Sequence, residues 1–206
     1  MLEIYLVRHG RTDWNEKGIV QGQHESKLTE TGVKQAKLLG KRLKDIKFDA
    51  VYSSPISRAL ETTKNILGES NFNQQKIVLR DELKEMGFGS AEGLTVNEIK
   101  EKYSKEWDDH YNNPQNYDPI VYKGETFQEL LKRCKDFLDD ITKKHKNERI
   151  LVVSHEVTIQ AFINIIKEYE LKDFWKGDQI ENTSLSIFKY DKIFEIELLS
   201  DISHLK

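Results

Sequence analysis

The stretch "YLVRHGRTDWN", residues 5–15, decides the fold. An apolar run of strand length ends in Arg8, His9 and Gly10, with Arg11, Asp13 and Asn15 close behind. Charged and polar groups at the mouth of a buried strand are costly unless they are paired or used. The same pattern recurs twice. "VYSSPISR" leads from an apolar run to Arg58, and "ILVVSHE" leads from another to His155.

Periodicity supplies the frame around these endings. Runs of strand length occupy residues 2–7, 49–53, 77–80, 150–154, 184–190 and 194–199. Thr29 can cap a helix reaching about residue 44, with Val33, Ala36, Leu39 and Leu43 on one face. Ser54 and Pro55 predict a second helix start, a hydroxyl N-cap followed by proline at the first helical position. Further helices are expected at about 125–146 and 157–167. Strands alternating with helices predict an α/β layer structure with a mostly parallel central sheet. The last two runs, joined through "YDK", predict a hairpin at its edge. Residues 102–123 mix aromatic and polar side chains around Pro114 and Pro119, which predicts an excursion from the layers that serves as a lid.

At 206 residues the chain can bury a substantial core, and one domain over 1–206 is expected. Lysine and arginine number 32 against 35 aspartates and glutamates, so the net charge of −3 gives no support to nucleic acid binding. The single cysteine, Cys134, forms no intrachain disulfide and falls on the apolar stripe Phe127, Leu130, Leu131, Cys134, Phe137, Leu138 and Ile141, the place of a packed core thiol. "MLEIYLV" is too short for a secretory apolar region and lacks a basic leader. With no apolar run near the ~20 residues that span a bilayer, the chain is expected to be soluble and cytoplasmic, without a membrane partner.

Ligands of open α/β sheets bind beyond the carboxyl ends of the strands. Parallel neighbouring strands would therefore gather Arg8, His9, Arg58 and His155 in one crevice. Two guanidiniums match the oxygens of a phosphate, and a neutral imidazole can attack phosphorus. The surrounding cations favour that neutral form. Gly10 would then let the backbone approach the phosphate closely. A leaving alcohol needs a proton, and "DELKEMGFGSAEGLT" offers Asp81, Glu82, Glu85 and Glu92. Glu85, beside Met86, Gly87 and Phe88, has the least polar setting, which would raise its pKa toward that of a general acid.

The residues also carry a resemblance. "LVRHGRTDWN", "QG" with "LTETGVKQA", "VYSSPISRALETT", "LKEMGFGSAEG", "GETFQELLKR" and "ILVVSHEVTI" stand in the order and spacing of the histidine phosphatase superfamily, the phosphoglycerate mutase-like family. The resemblance implies a three-layer α/β/α fold and His9 as the phosphorylated nucleophile. It implies Arg8, Arg58 and His155 as the phosphate pocket and Glu85 as proton donor and acceptor. Asn15, Gln21 and Gly22 fall where the family contacts phosphate or substrate. Neither a cofactor nor a metal is implied, and "WDDHYNN" and "DFLDD" are expected on solvated faces. Two positions depart from the family: Ile19 stands where an arginine is common, and Glu156 where glycine usually follows the second histidine.

The leading expectation is a metal-independent phosphomonoester hydrolase acting on a small phosphorylated metabolite. A phosphoglycerate mutase is the alternative, disfavoured by the absence of a basic residue between Glu85 and Glu92. A phospho-ligand binding module without catalysis is a third reading. Sugar phosphates, phosphoserine, α-ribazole phosphate and phosphoglycerates all suit this chemistry, and the oligomeric state is left open.

Overall fold

The computed structural model describes residues 1–71 and 76–206. In chain order its elements are β1 (Leu2–Arg8), α1 (Asp13–Lys17), α2 (Glu30–Arg42), β2 (Ala50–Ser53), α3 (Ser57–Gly68), β3 (Ile77–Leu79), α4 (Val96–Lys102), α5 (Ser104–Asn112), α6 (Phe127–Lys144), β4 (Arg149–Ser154), α7 (Glu156–Lys167), β5 (Leu185–Asp191) and β6 (Ile193–Asp201). The strands form one sheet in the order β3-β2-β4-β1-β5-β6. β3, β2, β4 and β1 run parallel, and β5 and β6 close the far edge as an antiparallel hairpin. Lys192, at a left-handed φ of 71°, makes the turn between them.

Alternation along the strands divides the core in two. Ile4, Leu6, Tyr52, Ile150 and Val152 face one side, where they pack with Cys134, Phe137 and Phe162 of α6 and α7. Tyr5, Val7, Val51, Leu151 and Val153 face the other, against Ala36, Leu39, Ala59 and Ile66 of α2 and α3. The result is the expected α/β/α sandwich. Burial in the first of these layers pushes the Cys134 thiol up to about 12, so it packs as an apolar group.

Register places the functional strand ends side by side. Arg8 pairs with Ser154, and Ser53 pairs with Val153. The ladder carries one residue further, with the His9 N–H donating to Ser154 O at 2.9 Å and the Ser54 N–H to Val153 O at 3.0 Å. β1, β2 and β4 therefore discharge their chains into the same crevice.

Helix starts follow the sequence with one exception. Thr29 caps α2 by accepting from the Gly32 N–H, and Thr126 forms a capping box with Glu129 at α6. Ser54 does not cap α3. Ile56 is extended, the helix begins at Ser57, and no side chain caps it. The Ser54 hydroxyl accepts from the Ile56 N–H at 3.3 Å, short of the helix, and lies 2.8 Å from His155 Nε2 just past the neighbouring strand.

The segment 102–123 holds the end of α4, all of α5 and two short 3₁₀ turns. Within it, "WDDHYNN" is not a solvated face: Trp107, Asp109 and His110 are buried. His110 sits among Phe88, Tyr117, Phe127 and Trp175, with ring centroids 5.0–5.3 Å away. Burial lowers its pKa to about 3, so this imidazole packs as a neutral ring. Polar composition concealed an aromatic core. In "DFLDD" the expectation holds for Asp136 and Asp139, which reach out to Lys132 and Lys135, whereas Asp140 is half-buried against Arg80 and Phe137 and Leu138 turn inward. Among the described residues no helix is long and apolar enough to cross a membrane.

Candidate active site

His9 is 2% exposed at the end of β1. Its Nδ1 lies 2.8 Å from the Gly10 carbonyl oxygen. A carbonyl can only accept, so Nδ1 carries the proton and Nε2 keeps its lone pair. The Nε–H of Arg58 donates to that Nε2 at 3.3 Å. Burial first, then the charges of Arg58 and Arg8, hold the His9 pKa well below the ordinary 6.5. The ring is neutral and its lone pair is aimed by the backbone.

Arg58, in the first turn of α3, is fully buried. It donates from Nη1 to His24 O at 2.8 Å and from Nη2 to Gly22 O at 2.6 Å. Burial brings its pKa down to about 10, which still leaves it charged at neutral pH. Gly22 has a steric reason to be glycine: φ is +47°, and a Cβ would overlap the Glu92 carboxylate at 2.1 Å. Arg8 donates from Nη1 to Ile180 O at 2.5 Å, and its Nη2 lies 2.8 Å from Glu156 Oε2. The loop after α7 backs both residues, with the Thr183 N–H donating to Arg8 O and Asn182 Nδ2 to His9 O.

His155 is fully buried beside His9, with ring centroids 5.1 Å apart. Burial, then the Arg58 charge, lowers its pKa well below 6.5. Glu85 lies across the crevice at the N-terminus of α7. Its Oε1 accepts from the N–H groups of Met86 (2.9 Å) and Thr158 (3.2 Å), and its Oε2 from that of Val157 (3.3 Å). Burial outweighs these donors and raises its pKa above the ordinary 4.5.

Gly10 has a packing reason in the structure. A Cβ there would meet the Gly32 carbonyl oxygen at 2.8 Å, so the glycine lets β1 pack against the first turn of α2. Its carbonyl also serves His9 by accepting from Nδ1.

Arg8, His9, Asn15, Gln21, Gly22, Arg58 and Glu85 line one cleft of about 130 Å³, with Ile19 and Glu156 beside them. His155 lies behind that lining. Asn15 Oδ1 accepts from the Thr12 N–H at 3.1 Å, and Gln21 Oε1 accepts from Thr12 and Ser26 hydroxyls at 3.1 and 2.6 Å. Sequence reasoning missed the cleft's aromatic wall of Phe88, Trp107, Tyr111 and Trp175. Trp107 and Tyr111, four residues apart on α5, carried a helical signal that the surrounding charges masked.

Such a cleft defines a class of protein: an α/β fold whose strand ends and the segments after them gather a neutral histidine, two arginines and a carboxyl of raised pKa, a set chemically suited to a phosphate. The sequence profile of the histidine phosphatase superfamily (branch 1) matches residues 4–200, and the chain belongs to that superfamily. Relatives in it are named as phosphoserine phosphatases and as phosphoglycerate mutases, enzymes of small phosphorylated metabolites, and the chain is an enzyme of this superfamily.

A metal-independent phosphoserine phosphatase of Arabidopsis thaliana is 38% identical over 205 residues, covering 98% of this chain and 83% of the relative. Bacillus stearothermophilus YhfR superposes with a TM-score of 0.94 at 31% identity, over 100% of both chains. A phosphoserine phosphatase mutant from Entamoeba histolytica, solved in complex with phosphoserine, gives a TM-score of 0.83 at 29% identity, again over 100% of both chains.

Proposed function

We propose that the chain transfers the phosphoryl group of a small phosphomonoester to His9 and then to water. The observation that carries this reading is the Nδ1 contact to Gly10 O, which leaves His9 Nε2 unprotonated on the cleft lining, where the Arg58 Nε–H holds its lone pair at 3.3 Å until a phosphate takes that donor. Nε2 forms a bond to phosphorus as the ester P–O bond breaks. Glu85 gives its proton to the departing alkoxide. Water then attacks phosphorus, Glu85 takes up its proton, and the P–N bond breaks to release inorganic phosphate.

Arg8 and Arg58 offset charge on the equatorial oxygens, with His155 beside them. The amide oxygens of Asn15 and Gln21 are engaged by Thr12 and Ser26, which leaves their N–H₂ ends to meet an anion. Residues 102–123 act as the cover of the site through Trp107 and Tyr111. The two guanidiniums supply positive charge that a metal would otherwise bring, in keeping with the name of the metal-independent Arabidopsis relative.

Hydrolysis is favoured over a mutase reaction by the rest of the cleft lining. Among the described residues it carries Ile19, Phe88, Trp107, Tyr111 and Trp175, and no lysine or third arginine for a second phosphate. The test is phosphate release by enzyme treated exhaustively with EDTA, with and without added 2,3-bisphosphoglycerate. Full activity in both conditions is expected. Loss on chelation restored by one divalent ion, or dependence on the bisphosphate, would contradict the reading.

A further inference from the structure

Among the described residues, Glu156 is the one charged group of the cleft that phosphoryl transfer does not use. It occupies the first helical position of α7, and its carboxylate lies 2.8 Å from Arg8 Nη2 with 30% of the side chain exposed. We infer that Glu156 is a specificity-determining residue that selects phosphomonoesters whose alcohol portion carries a protonated amine, such as a phosphorylated amino alcohol or amino acid. This inference rests on the reading of the cleft as a phosphomonoester site.

Charge balance carries the argument. Arg8 and Arg58 together offset a phosphate dianion, and Glu85 with its raised pKa adds no charge while protonated. Glu156 is then one negative charge in excess, held beside Arg8 where the phosphate must sit. Among the described residues its ion-pair partner is Arg8 alone. An ester with a neutral or anionic alcohol portion leaves that repulsion uncompensated. An ammonium on the alcohol portion would sit against the carboxylate and cancel it.

The aromatic part of the lining points to the same chemistry. Trp107, Tyr111 and Trp175 line the cleft with Glu156. Aromatic faces attract cations and offer nothing to a second anion. Ile19, standing where the family resemblance led us to expect arginine, removes a contact for such an anion as well.

The test uses esters matched in all but the amine: O-phosphoserine against 3-phosphoglycerate, and phosphoethanolamine against 2-hydroxyethyl phosphate. The wild-type enzyme should favour the amine in each pair by kcat/KM. Glu156→Gln should lower that preference about tenfold, the scale of one charge-assisted hydrogen bond, while raising kcat/KM for the hydroxy esters as Arg8 is released. No amine preference in wild type, or a preference that survives Glu156→Gln unchanged, overturns the inference.

Competition on the wild-type enzyme gives a readout that needs no variant. 2-Aminoethylphosphonate should inhibit about tenfold better than 2-hydroxyethylphosphonate, again on the scale of one charge-assisted contact, and equal inhibition overturns the inference. p-Nitrophenyl phosphate is the control: if the wild type fails to hydrolyse it and every other ester, the phosphomonoesterase reading falls, whereas hydrolysis without amine preference removes only the role of Glu156.

Discussion

Glu85→Gln separates general acid catalysis from mere placement. The carboxyl is held by the backbone N–H groups of Met86, Thr158 and Val157, and burial raises its pKa above 4.5. Glutamine fills the same space and its oxygen can take over the Met86 and Thr158 donors. Its N–H₂ then faces the Val157 N–H, whose present contact is already long at 3.3 Å, so the fold should survive at a cost of roughly 1 kcal/mol. The variant loses the transferable proton.

General acid assistance is worth about 10²–10⁴-fold and grows with the basicity of the leaving oxygen. kcat for alkyl phosphates should fall within that range, and for p-nitrophenyl phosphate by less than about tenfold, because its phenolate departs with little help. The pH profile supplies a second check. The acid must be protonated, so wild-type activity on alkyl esters declines as pH rises through the raised Glu85 pKa, and the variant should lack that alkaline limb. Equal losses on both ester types with the limb intact would refute the assignment.

The Gly10→Ala variant tests the packing reason for that glycine. Its Cβ would stand 2.8 Å from Gly32 O, about 0.6 Å inside the 3.4 Å at which ordinary contact begins. Overpacking against backbone costs roughly 1–3 kcal/mol, which in a chain of this size lowers the melting temperature by about 2–12 °C. Activity should fall too, since the same residue's carbonyl orients His9; a variant that melts and turns over like wild type would remove the argument. For His9 itself, the lowered pKa keeps the nucleophile unprotonated into acid, so kcat/KM should decline only as pH falls well below 6.5. An acid limb centred at or above 6.5 would contradict the buried, cation-flanked setting.

The sheet and its functional edge were legible because both rest on short-range signals. Strand endings at Arg8-His9, Ser53-Ser54 and Ser154-His155 come into register through ordinary parallel pairing. Glu85 could be nominated from its apolar neighbours, but its contacts with the α7 N-terminus join residues about seventy positions apart and left no local trace. The Ser54 hydroxyl looked like a helix cap because Pro55 and a helical pattern succeed it in the chain, whereas His155 approaches from another strand. Trp107 and His110 were hidden for a different reason: Asp108 and Asn112 beside them are exposed, Asp109 is buried with them, and the average polarity of the segment concealed its inner face. Glu156 was visible as an odd residue, and only its contact with Arg8 gives it a place in the cleft.

The central claim is covalent chemistry at His9, and trapping the phosphoenzyme tests it most directly. Wild-type protein mixed rapidly with a radiolabelled ester and quenched in alkali should carry label that survives base, is lost in acid, and maps by peptide mass spectrometry to His9. His9→Ala, folded by circular dichroism, should carry none and should not turn over. A wild-type enzyme that releases phosphate without ever becoming labelled, or that carries its label on another residue, would contradict the account.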